Sequence, residues 1–194
     1  MDASNTSYLE PMPIAVVVAI IVCIVTYLIT RSAPQPKTKK ELKEWIKEYC
    51  EGVKNHGEPN TWDVTLVTDM SRLFAGMEKF NAPIDQWDTS QVTDMSEMFA
   101  NASSFNQPIT METSKVTSMN RMFYGASSFN QPITMDTSKV IEMCYMFCEA
   151  RSFNSPITME ISNGTSMTDM FKGATAMTHP LPQTKEMIAV SNFF

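Results

Sequence analysis

Few residues in this 194-residue chain stand at a spacing that could do chemistry. Cys144 and Cys148 lie four apart in CYMFC, which on a helix would put both thiols on one face as a metal site requires, but no second pair and no nearby histidine completes a zinc set. His56 and His179 are isolated from each other in the sequence. The 17 methionines recur in pairs such as Met119 and Met122. That spacing could gather sulfur for a soft metal, yet methionine's flexible thioether suits the filling of irregular apolar gaps, and filling is the reading adopted. No GxxxxGK[ST], HExxH or GxSxG occurs. The expectation is a protein that is not an enzyme, with no catalytic, cofactor-binding or metal-binding residue, no cofactor and no small-molecule substrate.

Charge narrows the partners. The chain carries 15 basic against 21 acidic residues, and from Glu58 onward 8 against 15. Phosphate backbones reward a basic face, so nucleic acid is excluded as a partner. The four cysteines (Cys23, Cys50, Cys144, Cys148) are dispersed rather than densely spaced, which fits a reduced environment better than a disulfide scaffold.

The positions that recur must instead build something. Phe74, Phe99, Phe123, Phe147 and Phe171 recur at intervals of 25, 24, 24 and 24; Pro83 to Pro180 and Met70 to Met167 keep the same register. The unit reads [WM][DE]TSxVTxMxxMFxxAxxFNxPI, in five copies over residues 62–182 with degenerate ends, as stacked repeats require. In PITM the alternation of Ile and Met about Thr predicts a short strand with one buried face, and one strand per coil would stack into a parallel sheet at about 4.8 Å. The apolar spacing of three and four in VTxMxxMFxxA predicts a helical turn on the opposite side. Phe74, Phe99, Phe123, Phe147, Phe171, Phe105, Phe129 and Phe153 are the expected core. Asn81, Asn106, Asn130 and Asn154 are expected to form a ladder pairing the backbone of adjacent coils. Thr110, Thr134 and Thr158, followed by Asp88, Glu112, Asp136 and Glu160, form a candidate partner-contact face, acidic and suited to a basic protein.

Ahead of the repeats, residues 1–11 form a short tail. Residues 14–29, IAVVVAIIVCIVTYLI, carry no charge and with their neighbours give a predicted transmembrane helix over 12–30, preceded by no basic start of the kind a cleaved leader shows. Arg31, Lys37, Lys39 and Lys40 follow it, so the positive-inside rule would put the N-terminus outside or lumenal and the repeats in the cytosol. Residues 31–37 read as a proline-containing linker and 38–57 as an amphipathic capping helix, started by Thr38 and Glu41 and burying Leu42, Trp45, Ile46, Tyr49, Cys50 and Val53. Residues 183–194 form a C-terminal tail or cap.

FNQPI followed by MDTSKV or WDTSQVTDM, and then by SEMFANA or NRMFYGA, resembles the BspA-like, leucine-rich-repeat-related repeats of surface proteins, also described as a domain of unknown function from mycoplasma. The resemblance implies an α/β solenoid: a leucine-rich-repeat-like stack of five 24–25-residue coils, each a short parallel strand plus a helical turn, with no known catalytic residue. The proline form of FNQPI is most similar to algal and large-DNA-virus members. The function expected is a membrane-anchored structural or interaction protein presenting its repeats to protein partners in a larger assembly, such as a minor capsid protein between the internal membrane and shell of a virion. The alternative is a cell-surface adhesin or receptor-like binder.

Overall fold

The computed structural model describes residues 33–178 apart from 160 and 163. The chain divides into Met1–Ala33 and Pro34–Phe194, and every element described lies in the second part.

Helix α1 is Lys39–Cys50. Thr38 caps it, accepting the Glu41 N–H on its hydroxyl at 3.1 Å, while the Glu41 carboxylate accepts the Lys37 N–H at 2.8 Å. This is the reciprocal logic of a capping box displaced by one residue. Leu42, Trp45 and Ile46 are the buried stripe. Trp45 stacks on His56 at 3.8 Å and meets Trp62 edge-on at 5.6 Å, and Trp62 in turn stacks on Trp87, so the apolar face of α1 runs into the core of the first coil.

Five coils follow, numbered here by Phe74, Phe99, Phe123, Phe147 and Phe171. These rings lie in one file with centroids 5.0, 5.3, 5.3 and 5.4 Å apart and near-parallel planes. A second file, Phe80, Phe105, Phe129 and Phe153, runs beside it at 6.0 Å per step. All nine rings are buried. Truncating one to alanine removes a ring and leaves a cavity, at a typical cost of about 3–5 kcal/mol.

The backbone departs from the leucine-rich-repeat-like α/β solenoid expected. The segment read as a helical turn is a pair of tight turns. In the first coil Leu73 N–H returns to Met70 O at 3.2 Å and Met77 N–H to Phe74 O at 3.0 Å. The third residue of each turn is left-handed, Arg72 at φ 56° and Gly76 at φ 72°, as a type II turn requires. A left-handed residue stops a right-handed helix after one bond. The spacing of three and four that mimicked a helix is that of successive turns returning Met70, Leu73 and Phe74 to the interior.

The remaining N–H groups of this segment reach across to the next coil. Met70, Arg72, Phe74 and Gly76 donate to the carbonyls of Asp94, Ser96, Met98 and Ala100 at 2.8–3.0 Å, and the same four bonds recur at every step as far as Glu149 N–H to Lys172 O at 2.8 Å. The continuous ladder thus occupies the side where helix was expected, marked by single parallel bridges Asp69–Asp94–Ser118–Glu142–Ser166.

Strand formation is equally limited. Among the described residues only β1, Ile133–Met135, and β2, Ile157–Met159, are strands, paired in parallel with Ile133 opposite Ile157. One strand per coil is not found among the described residues. In the first coil PITM is replaced by PIDQ, and Asp85 and Gln86 are drawn off to Asn60 by bonds of 2.9 Å each.

The membrane expectations are corrected too. Among the described residues no helix is long and apolar enough to cross a membrane. Among the described residues the only helix longer than one turn, α1, has 12 residues where about 20 are needed, and seven of them are lysine or glutamate. The structure therefore gives no support to a membrane span, to the membrane as a partner, or to a single-pass localisation with cytosolic repeats; the span placed over 12–30 lies outside the described residues.

Candidate functional site

Two sides of the coil stack present side chains in register. On the strand side Thr110, Thr134 and Thr158 are exposed, as are Asp88, Glu112 and Asp136; Glu160 lies outside the described residues. The aspartates also close their own turns. Asp88 Oδ1 accepts the Ser90 N–H at 2.9 Å, Asp136 Oδ1 the Ser138 N–H at 2.9 Å, and Asp63 Oδ1 the Thr65 N–H at 3.0 Å. The neighbouring hydroxyl and backbone N–H hold all three carboxyls below the usual aspartate range. Between them Thr89 and Thr113, fully buried, donate their hydroxyls to Glu112 O and Asp136 O of the following coil. The row is therefore part of the scaffold and still anionic at its surface, because turn bonds use only one oxygen of each carboxylate in these geometries.

The asparagines form a one-way ladder. Asn81, Asn106 and Asn130 each accept on Oδ1 the backbone N–H of the next asparagine at 2.8–2.9 Å, and Asn154 accepts that of Thr178 at 2.7 Å. Gln107, Gln131 and Ser155 add side-chain bonds to the same oxygens. The side-chain oxygens of these amides are thus taken up by the scaffold.

The turn side was not singled out from the sequence. Its first left-handed row is Arg72, Glu97, Arg121, Tyr145 and Asp169, with φ between 52° and 58°; its second is Gly76, Asn101, Gly125, Glu149 and Gly173. The second row alternates for a steric reason. A Cβ built on Gly125 would collide with the Asn101 amide, and one on Gly173 would lie 2.5 Å from Glu149 Oε1, so each long side chain leans into the space that a glycine leaves on the coil after it. Between the rows lies an open cleft of about 550 Å³. Arg121 stands over the Tyr145 ring at 5.1 Å, a cation–π distance, with Tyr124 beside it and Glu97, Glu149 and Lys172 at its margins. Arg72 pairs with Glu97, Arg151 with Glu149 and Lys172 with Asp169, each at 3.0 Å. The one available signal for this side was that these repeat positions vary in residue type while the frame around them does not.

The cysteines do not gather. Cys148 is buried at the floor of the cleft, where desolvation pushes its thiol up, and Cys144 Sγ lies 2.9 Å from Ser166 Oγ. Among the described residues no three His, Cys, Asp or Glu side chains converge as a metal site would require.

α1 closes the first coil. Lys39 Nζ reaches Asp69 Oδ1 at 2.9 Å and Ser71 Oγ at 2.6 Å, and Lys43 Nζ donates to Arg72 O at 3.0 Å. The turn-side ladder carbonyls face this end, where the Lys43 ammonium meets one of these aligned dipoles and the Lys39 ammonium pairs with a carboxylate beside them.

A buried apolar file, a one-way backbone ladder and repeated outward rows define a stacked-coil repeat protein. Matches over residues 41–135 and 110–194 show that the chain belongs to the family described as Mycoplasma protein of unknown function, DUF285. It has no match among curated proteins and none among solved structures.

Proposed function

We propose that the chain is a non-enzymatic interaction module, a stiff stack of coils that presents side chains at fixed spacing to protein partners in a larger assembly. The observation that carries this reading is the register itself. Four backbone hydrogen bonds per step, with two files of stacked rings behind them, hold the outward positions of successive coils at constant separation. A surface ordered before contact loses little entropy on binding, and repeat proteins commonly bind through such extended faces. The threonine and carboxylate face suits a basic protein, since its aspartates stay ionised.

The narrower form of the proposal is a minor capsid component of a large virus, and it rests on the proline form of FNQPI, which is most similar to algal and viral members. Crosslinking with mass spectrometry on the native assembly tests both. Links from Lys115 and Lys139, which flank the acidic face, to a second protein are the expected result. Recovery of the chain with no link to any other protein would sink the reading, and protection of the repeats from protease on intact cells would remove the adhesin alternative.

A further inference from the structure

Among the described residues the turn-side ladder stops at the fifth coil, whose donors by register are Met167, Asp169, Phe171 and Gly173. For Met167, Asp169 and Gly173 no acceptor lies among the described residues. An open edge of this kind invites pairing with further chain. Yet the side chains beneath it are covered, with Met167 4%, Met170 0% and Phe171 1% exposed, as in the inner coils. The outer face of a terminal coil is covered only by what lies beyond it, and the described residues after Phe171 belong to the fifth coil itself. The compact unit that holds the coils runs on through Phe194 and leaves out residues 1–33, so the cover comes from 179–194.

The sequence of that segment carries the coil pattern. Thr184, Met187, Val190, Phe193 and Phe194 repeat, at a constant interval of 47 and without a gap, the spacing of Thr137, Val140, Met143, Met146 and Phe147. Those five counterparts are all buried. Asn192 falls in the left-handed row of Arg72, Glu97, Arg121, Tyr145 and Asp169, and asparagine is one of the few side chains that accept that backbone readily. Ala189 falls in the bridging row of Asp69, Asp94, Ser118, Glu142 and Ser166. The family match also extends through residue 194. We infer that residues 184–194 are the turn side of a sixth coil, docked on the open edge of the fifth. Ala189, Ser191 and Phe193 supply carbonyls to the Met167, Asp169 and Phe171 N–H groups, and Phe194 extends the first file of rings. With α1 over one end of the stack and this turn over the other, the sides are the faces left for partners.

Native-state hydrogen exchange on the full-length chain tests this. The amides of Met167, Asp169 and Phe171 should exchange as slowly as those of Met143, Tyr145 and Phe147, to within about tenfold and at every protein concentration. Phe193→Asp and Phe194→Asp should each speed the first three by about tenfold or more while Met95 and Phe99 keep their protection. Ala189→Asp, which sets an acid where Asp69, Asp94 and Glu142 stand, should change nothing. Asn192→Gly should be tolerated and Asn192→Ala should loosen the same three amides, because glycine takes a left-handed backbone freely and alanine does not. A helical cap over this edge would reverse that order. Fast exchange at the three amides in the parent, or exchange indifferent to both phenylalanine substitutions, overturns the inference. So does protection that appears only as concentration rises, which assigns the edge to a second copy. If either phenylalanine substitution unfolds the whole chain, the order of glycine and alanine at 192 still decides.

Discussion

Asp63, Asp88 and Asp136 carry charge and close a turn with the same group, so their effect on stability depends on pH. Their carboxyls are depressed in the folded chain by bonds from Thr65, Ser90 and Ser138. A depressed folded value means that the stabilisation is complete above the ordinary aspartate value, about 3.9, and is lost as pH falls through the lower folded values. Melting temperature should therefore be flat from neutral pH down to that value and fall below it. Replacing all three by asparagine, whose oxygen still accepts the turn bonds, should flatten part of that acid slope; an unchanged slope would show that other groups carry it. Glycine matters most where a left-handed backbone and a close neighbour coincide. Gly125→Ala should cost about 1–3 kcal/mol in urea unfolding, from the left-handed penalty and the clash with Asn101. Adding Asn101→Gly should recover the clash part, read as non-additivity in a double-mutant cycle.

At the scale of elements, the asparagine ladder and the turns show what the sequence could and could not say. The phenylalanine and asparagine positions recur at fixed intervals, so their participation in one file and one ladder is written in the spacing. The turn backbone is not. An apolar spacing of three and four serves a helix and a chain of tight turns equally, and the residues that decide between them, Arg72, Glu97, Arg121, Tyr145 and Asp169, include no glycine to announce a left-handed conformation. The cleft was hidden for the same reason, since its residues differ from coil to coil and look like variable surface. Short strands were overread because PITM alternates in three copies, yet among the described residues only two of them pair as a sheet. Asn130→Ala should cost about 1 kcal/mol by removing the side-chain oxygen that accepts the Asn154 N–H, the Ser155 hydroxyl keeping the Asn130 carbonyl, while Asn130→Asp, which keeps an acceptor, should cost less. Equal losses from both would mean that the ladder oxygen contributes nothing.

For the whole molecule, the ladder has a direction. The four turn-side bonds of each step run from an N–H to a carbonyl of the following coil, so those carbonyl oxygens face the α1 end, while single bonds such as Thr93 N–H to Thr68 O and Ser104 N–H to Glu78 O run the other way. Lys39→Met and Lys43→Met should each lower stability by about 0.3–1 kcal/mol, with the loss shrinking in high salt, as for cations at a helix C-terminus. A loss independent of salt would point to packing of the lysine stems instead.

The alternation of Gly76, Asn101, Gly125, Glu149 and Gly173 gives the stack a parity: odd coils supply the glycine, even coils the side chain that leans over it. The sequence repeats every coil, but the packing repeats every second one. Excising residues 111–134 would set Asn101 under Glu149, two even coils in contact, whereas excising 111–158 would set it under Gly173 and preserve the order. The larger deletion should then melt cooperatively at the higher temperature, the reverse of what the number of remaining coils alone would give. Lengthening or shortening of this fold is expected to proceed in pairs.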